Sequence, residues 1–204
     1  MKKHFWIAAM ATLLFLGGQL YLHLDAYRGD RPELAVVSVS LLTREERCVG
    51  RDGALTACRE LTGLEAGDIL VTRSSSSLFY RHGHIGLVVD AKEGLVLEAL
   101  GLGSYSALES IDKWNDYPTL QVLRLAGASL EERALIAESA LSYFLDRPYG
   151  LFSSRRSQSR VQCATLIYKI FREQGHTLLA PRQLITPSTL SRSPYLELIS
   201  SEGF

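Results

Sequence analysis

The sequence lacks an excess of either charge, with 22 lysines and arginines against 22 aspartates and glutamates in 204 residues. Binding to phosphate backbones requires clustered Lys and Arg, so the composition gives no electrostatic case for nucleic acid as a partner. Internal repeats are also absent. Hydrophobic residues make up 47% of the chain, which is typical of a globular protein. Beyond the N-terminal segment, the length suits one domain with one core.

The N-terminal segment contains no charged residue between Phe5 and Leu24, and Lys2 and Lys3 precede it. A short positive stretch before an apolar stretch predicts a secretory signal peptide over residues 1–24. No cysteine follows the run, so a lipoprotein anchor is not indicated. An uncleaved segment 5–24 is long enough to span the inner membrane, with the rest of the chain outside. Either alternative predicts an extracytoplasmic protein at the periplasmic face. A buried N-terminal helix is disfavoured, because no polar residues recur at helical spacing.

Cysteine is scarce, and its three positions differ in context. Cys48 and Cys58 flank an Asp52-Gly53 step, which favours a hairpin turn. We therefore predict a connector over residues 25–60 with a Cys48–Cys58 disulfide hairpin, as an oxidising compartment allows. Cys163 is left as an unpaired thiol, which in an exported protein indicates a specific role.

The remaining residues, 61–204, show strand patterns first and helical patterns afterwards, which predicts an α+β domain. Alternating and β-branched runs joined by short turns predict antiparallel strands. These runs lie at 67–72, 84–90, 95–100 and 120–125, with a further candidate strand at 36–42. Apolar spacing of three and four predicts helices over 129–145 and 163–174. The first begins with a Ser129/Glu132 capping box, and its expected apolar face consists of Leu130, Ala134, Ala137, Leu141 and Phe144.

Three residues stand out as candidates for chemistry. Cys163 begins a helix, where unpaired N–H groups and the helix dipole stabilise a thiolate and an oxyanion. His84 begins an apolar strand that could hold a base for this thiol. Glu98 interrupts another apolar strand, and there it could orient the imidazole. Each residue also has a structural interpretation: a core cysteine, an edge histidine and a solvent-facing glutamate.

A metal site is a weaker alternative. His82 and His84 form a His-x-His pair, which could bind a metal with Cys163 or Glu98 as a third ligand. The spacing is unspecific, so we predict neither a metal site nor another cofactor.

The chain resembles the permuted papain-like amidases of the YiiX and YaeF kind, which are circularly permuted relatives of NlpC-type cell-wall cysteine peptidases. The resemblance rests on Gly-Asp-Ile-Leu at 67–70, Gly-His-Ile-Gly-Leu-Val-Val at 83–89, Val-Leu-Glu-Ala at 96–99 and Cys-Ala-Thr-Leu-Ile-Tyr-Lys at 163–169. It implies a papain-like fold, with an antiparallel sheet packed against the cysteine helix. It also implies Cys163 as nucleophile, His84 as base and Glu98 as the orienting residue. Tyr149 resembles a tyrosine near the site in such proteins. Ala164 departs from the serine that often follows the cysteine.

The resemblance and the expected compartment together imply an extracytoplasmic cysteine amidase or peptidase acting on amide bonds of peptidoglycan peptides. Gln162, next to the cysteine, could lend its amide to the oxyanion hole. Two alternatives stay open. One is a lipid-directed acyl hydrolase or acyltransferase of the lecithin–retinol acyltransferase-like kind. The other is a non-catalytic, anchored domain that binds the cell wall.

Overall fold

The computed structural model describes residues 10, 12, 43–77, 83–101, 103–150, 153–155 and 159–204. Apart from Met10 and Thr12, the predicted signal or anchor segment lies outside these residues, and so does the candidate strand at 36–42. Within the described ranges, no helix combines the length and the apolar character needed to cross a bilayer.

A six-stranded antiparallel sheet forms the centre of the described structure, with strand order β6-β5-β4-β2-β7-β8. A separate antiparallel pair consists of β1 and β3. The strands are β1 (Thr43–Glu45), β2 (Ile69–Thr72), β3 (Ser75–Ser77), β4 (His84–Asp90), β5 (Leu95–Ala99), β6 (Ser106–Ser110), β7 (Leu120–Leu125) and β8 (Leu196–Glu202). The helices are α1 (Asp112–Asn115), α2 (Leu130–Phe144), α3 (Cys163–Glu173) and α4 (Pro187–Leu190). The predicted α+β class is confirmed, although the last strand returns to the sheet after the helices.

Strand β4 separates two apolar clusters. Its residues Ile85, Leu87 and Val89 belong to the larger cluster, which includes the buried sides of α2 and α3. Val88 faces the smaller cluster around Trp114. Alternate residues of a strand point to opposite faces, so this strand is covered on both sides. The site residues that β4 carries are therefore held in a rigid, buried element.

Helix α2 starts where the sequence predicts, but its buried face only partly coincides with the expected one. The Ser129 hydroxyl accepts a hydrogen bond from the Glu132 N–H at 3.1 Å, which confirms Ser129 as the N-cap. The expected apolar face is right in part, because Ala137 is buried and Phe144 packs partly buried against the core. Leu130, Ala134 and Leu141 are exposed, Leu130 to 61%. Ile136 and Ala140 are buried beside Ala137 in their place. The small alanines let the helix approach the sheet closely. The leucines of the expected face, Leu130 and Leu141, remain at the surface.

Helix α3 matches its prediction to within one residue and is buried from Cys163 to Phe171. Gln174 is the C-cap, and Gly175 follows with a φ of 83°. This left-handed conformation is one that glycine adopts without strain. Because almost the whole helix is enclosed, its first residue has a fixed position relative to the sheet.

The predicted disulfide is present between Cys48 and Cys58, with a Cα–Cα separation of 5.5 Å. The N–H groups of these two cysteines donate to the carbonyls of Asp116, at 2.9 Å, and Asn115, at 2.8 Å. The disulfide hairpin is therefore attached directly to the end of α1. A disulfide of this kind is consistent with an oxidising compartment.

Candidate active site

Cys163 is the first residue of α3 and is 9% exposed. It is the free cysteine of the chain. The first hydrogen bond of the helix runs from the Leu166 N–H to the Gln162 carbonyl, at 2.8 Å. The N–H groups of Cys163 and Ala164 consequently have no acceptor within the helix. The thiol lies at the positive end of the helix dipole, which favours a thiolate and a developing oxyanion.

His84 links Cys163 to Glu98. It is the first residue of β4 and is 8% exposed. Its Nε2 forms a hydrogen bond with Oε2 of Glu98, and Cys163 lies near enough to contribute to the electrostatic environment of the ring. Because Nε2 faces the carboxylate, Nδ1 is the ring nitrogen left for the sulfur. The structure therefore brings the three predicted residues together in the order Cys163, His84, Glu98.

The surroundings of His84 favour its charged form. Burial alone lowers the pKa of an imidazole. Here the Coulombic attraction of Glu98, together with the interaction with Cys163 and the hydrogen bond to Glu98, outweighs burial and raises the pKa of His84 to about 9. The ring is therefore an imidazolium at neutral pH, and its Nε2 proton is directed at Glu98.

Glu98 is fully buried in the middle of β5 and accepts three hydrogen bonds. In addition to His84, Lys113 Nζ donates to Oε2 at 2.8 Å, and Trp114 Nε1 donates to Oε1 at 3.2 Å. Burial by itself would raise the pKa of this carboxyl group. The charges and hydrogen bonds of His84 and then Lys113 instead hold its pKa well below its usual range. Glu98 is therefore a buried carboxylate with its charge compensated from two sides.

Trp114 fixes the imidazole from a third direction. The indole lies stacked on His84, with ring centroids 5.4 Å apart and an interplanar angle of 15°. Gly86 makes room for it, because a Cβ at this position would lie 2.8 Å from Trp114 Cζ2 and 2.7 Å from Val96 Cγ1. The second glycine of the Gly-His-Ile-Gly motif, Gly86, is thus explained by the close approach of the Trp114 and Val96 side chains.

Lys113 and Trp114 are the site residues that sequence reasoning missed. One signal for Lys113 was available, since a carboxylate inside an apolar strand requires a cationic or hydrogen-bonding partner. Which cation supplies it depends on the tertiary structure. Both residues lie in α1, whose four residues are too few to show a helical period.

Gln162 and Tyr149, the two residues suggested with less support, precede α3 in the chain. Gln162 is the N-cap of α3 and is 4% exposed, and its Oε1 is buried without a hydrogen-bond partner among the described residues. Tyr149 is half-buried against the larger core cluster. Its N–H donates to the Ser104 carbonyl at 2.9 Å, and it pairs with Val161 in a parallel bridge. These contacts give both residues structural positions without assigning them a chemical role.

Comparison with known proteins gives support at the level of the fold. The structure matches the crystal structure of metalloprotein YiiX from Escherichia coli O157:H7 with a TM-score of 0.57 and 19% sequence identity. The match covers 68% of this chain and 97% of that one. No known family model and no curated protein matches the sequence. At this level of identity the likeness concerns the fold alone, and it agrees with the resemblance seen in the motifs.

Proposed function

We propose that this protein is an extracytoplasmic thiol hydrolase that cleaves amide bonds, with Cys163 as nucleophile, His84 as acid and base, and Glu98 as the positioning carboxylate. The observation that carries the proposal is the imidazole of His84, which is hydrogen-bonded to Glu98 and has Cys163 as a neighbour that favours its charged form. A nucleophile, its base and the group that orients the base constitute the minimal machinery of acyl transfer.

The first half of the reaction uses the ion pair of Cys163 and His84. The thiolate attacks the carbonyl carbon of the substrate, and the resulting oxyanion lies at the N-terminal turn of α3. The N–H groups of Cys163 and Ala164 are the available donors there. His84 then donates its proton to the leaving amine as the C–N bond breaks, leaving a thioester on Cys163.

The second half regenerates the enzyme. Neutral His84 removes a proton from a water molecule, which attacks the thioester carbonyl and releases the acid and the thiolate. Glu98 stays ionised throughout, because its fixed hydrogen bonds hold the carboxylate in place. Its role is to orient the imidazole and to stabilise the imidazolium before and after each proton transfer.

The proposed substrate follows from the proposed compartment. The Cys48–Cys58 disulfide favours an oxidising environment, and residues 1–24 read as an export signal or anchor. Outside the inner membrane, the abundant amide polymer is the peptide component of peptidoglycan. We therefore place the scissile bond in a peptidoglycan stem peptide or crosslink.

A metal-dependent reaction fits these residues poorly, although the E. coli structure is titled a metalloprotein. In the part of the chain that the structure describes, no group of three or more His, Cys, Asp or Glu residues is arranged to hold a metal ion. At the candidate site, Oε2 of Glu98 already faces His84 and the Lys113 ammonium, which would repel a cation. His82, the other residue of the sequence pair, lies outside the described residues.

The test is digestion of purified peptidoglycan by the full-length chain in detergent, with product masses as readout. We expect new peptide products, and none with Cys163→Ala. A His84→Gln chain should lose most of the rate, because both proton transfers depend on this ring. Release of fatty acid from phospholipid with intact wall peptides would support the lipid-directed alternative. Wall binding without products, unchanged in Cys163→Ala, would support a non-catalytic domain.

A further inference from the structure

A buried side-chain oxygen next to the nucleophile has no hydrogen-bond partner. Gln162, which immediately precedes Cys163, is 4% exposed, and its Oε1 meets no donor among the described residues. Val161 and Ala164, on either side of these two residues, belong to the larger apolar cluster. An acceptor buried among apolar groups without a partner lowers stability. Such groups are few in native proteins, and each of them requires an explanation.

The main chain of Gln162 is, in contrast, fully hydrogen-bonded. Its N–H donates to Thr165 Oγ1 at 2.8 Å, and its carbonyl accepts from the Leu166 N–H, also at 2.8 Å. Thr165 Oγ1 in turn donates to Ser153 Oγ at 3.0 Å. The backbone of Gln162 is therefore fixed at the start of α3, while its side-chain carbonyl remains unsatisfied.

The start of α3 differs from the starts of α2 and α4. Ser129 accepts a hydrogen bond from the first turn of α2, and Thr186 accepts one from the first turn of α4, both at 3.1 Å. The Gln162 side chain is directed at the first turn of α3, in a capping-box arrangement with Thr165, but it makes no cap hydrogen bond. Glutamine is also not among the residues preferred at an N-cap. The first turn of α3 thus keeps N–H groups for an oxyanion, with the unpaired amide of Gln162 beside them.

The proposed reaction determines which part of a substrate Gln162 meets. Consecutive Cα atoms are about 3.8 Å apart, so the amide is attached directly beside the nucleophile, and Cys163 is buried to a similar depth, at 9% exposure. The leaving amine must meet His84, which belongs to β4, and the oxyanion lies at the first turn of α3. The part of the substrate that remains for Gln162 is the acyl side of the scissile carbonyl.

Building on the proposed thiol hydrolase, we infer that Gln162 Oε1 accepts a hydrogen bond from the N–H of the substrate residue that carries the scissile carbonyl. This contact supplies the buried acceptor with the donor that it lacks in the free protein. A peptide has an N–H group at this position. The acyl chain of a lipid has a methylene group there, which would leave Oε1 unpaired beneath the substrate. A site with a buried acceptor discriminates strongly against substrates that lack the donor. Gln162 therefore selects acyl groups derived from amino acids over fatty acyl groups.

The test compares two activated esters that differ in this one group. N-acetylalanine p-nitrophenyl ester contains the N–H, and O-acetyllactate p-nitrophenyl ester of the same configuration has an oxygen in its place. The thiolate of Cys163 attacks the ester carbonyl, a carbon–sulfur bond forms, and p-nitrophenolate leaves. Its release by the full-length chain in detergent is measured, the rate with Cys163→Ala is subtracted, and each rate is divided by that with free N-acetylcysteine. We expect the ester with the N–H to react about 10- to 100-fold faster.

Replacement of Gln162 by methionine removes the acceptor and retains the length of the side chain. We expect the preference for the N–H ester to fall to near unity. The Tm of the free protein should rise by about 2–4 °C, because a buried unpaired acceptor is removed. A merely structural residue would not combine a loss of specificity with a gain in stability.

The matched control is Gln183→Met. Gln183 is exposed, and its Oε1 accepts a hydrogen bond from the Ala180 N–H at 3.3 Å. Because this acceptor is already satisfied, the replacement should neither raise the Tm nor change the preference between the two esters.

The outcomes distinguish this inference from the proposed function. Equal reaction of both esters in a parent chain that digests peptidoglycan overturns the role of Gln162 alone. A Gln162→Met chain that retains the parental preference, or whose Tm falls, also overturns this role and leaves the hydrolase in place. Absence of Cys163-dependent release from either ester overturns the thiol hydrolase, and the inference about Gln162 with it.

Discussion

The ammonium of Lys113 lies 2.8 Å from Oε2 of Glu98, the oxygen that also bonds to His84. One buried carboxylate oxygen is therefore shared by two cations from different elements. This arrangement keeps Glu98 ionised inside the protein, where an uncompensated charge would be costly. It also means that Lys113 competes with His84 for the same negative charge.

Replacement of Lys113 by methionine tests this competition. Without the ammonium, the full charge of Glu98 acts on His84, and a nearby repelling charge is removed. The pKa of His84 should rise further, by about one unit. We expect the basic limb of the pH–rate profile to move to higher pH, with a parallel shift in the NMR titration of the ring. The control is Lys92→Met, at an exposed turn, which should leave both curves unchanged. A fall in the pKa of His84 in Lys113→Met would contradict the competition between Lys113 and His84 for the charge of Glu98.

The raised pKa of His84 predicts how stability depends on pH. The pKa of His84 in the folded state, about 9, lies above the ordinary imidazole value of 6.5. The folded state therefore binds the proton more tightly, and this contribution to stability is complete below pH 6.5. It should disappear as pH rises towards 9, a change on the order of a few kcal/mol. Urea unfolding of the parent and of His84→Gln should show a stability difference that shrinks over this range. A stability difference that grows with pH would contradict the ion pair of His84 and Glu98.

Gly86→Ala tests the stacking of Trp114 on His84. The added methyl group would overlap Trp114 Cζ2 and Val96 Cγ1. We expect a loss of about 1–3 kcal/mol in stability, together with a lower kcat. The smaller ring of Trp114→Phe should relieve part of the overlap in the double variant. Stability should then recover in part, while kcat stays low, because the indole hydrogen bond to Glu98 is lost. Additive effects on stability would show that the methyl group and the indole do not meet.

The disulfide should support the site through α1. The N–H groups of Cys48 and Cys58 donate to the carbonyls of Asp116 and Asn115, and Arg47 Nη1 donates to the Lys113 carbonyl at 2.5 Å. Replacing both cysteines by serine should cost about 2–4 kcal/mol in stability. It should also lower kcat severalfold at temperatures where the variant is fully folded. Unchanged kcat in the folded variant would show that the hairpin stabilises the domain without positioning Lys113 and Trp114.

The sequence was most informative where a local pattern determines the structure. Strand β4 has its predicted bounds, because its apolar run is flanked by a glycine and a turn. The N-cap of α2 agrees with prediction, since the hydroxyl of Ser129 specifies the helix start. Helix α3 also begins at its predicted residue, where the apolar spacing starts. The Cys48–Cys58 bridge followed from a short hairpin within one segment. These are interactions between residues near one another in the chain.

Interactions between distant segments were not predictable in this way. The buried face of α2 was predicted only in part, because the exposed leucines Leu130 and Leu141 were assigned to it and the buried Ile136 and Ala140 were not. Strand β6 and helix α1 have short, mixed patterns, so Lys113 and Trp114 were not recognised as partners of Glu98. The pairing of β8 with β7 joins residues that are 71 to 82 positions apart in the chain, from Leu125 with Leu196 to Leu120 with Glu202. No local periodicity determines such contacts.

Direct detection of an acyl group on Cys163 is the most decisive measurement of the proposed reaction. The full-length chain would be mixed briefly with peptidoglycan peptides, quenched in acid, digested and analysed by mass spectrometry. We expect a peptide acyl group on the fragment containing Cys163, removable by hydroxylamine and much less abundant in His84→Gln. Cleavage of the peptides at the parental rate by the Cys163→Ala chain would contradict the proposed reaction.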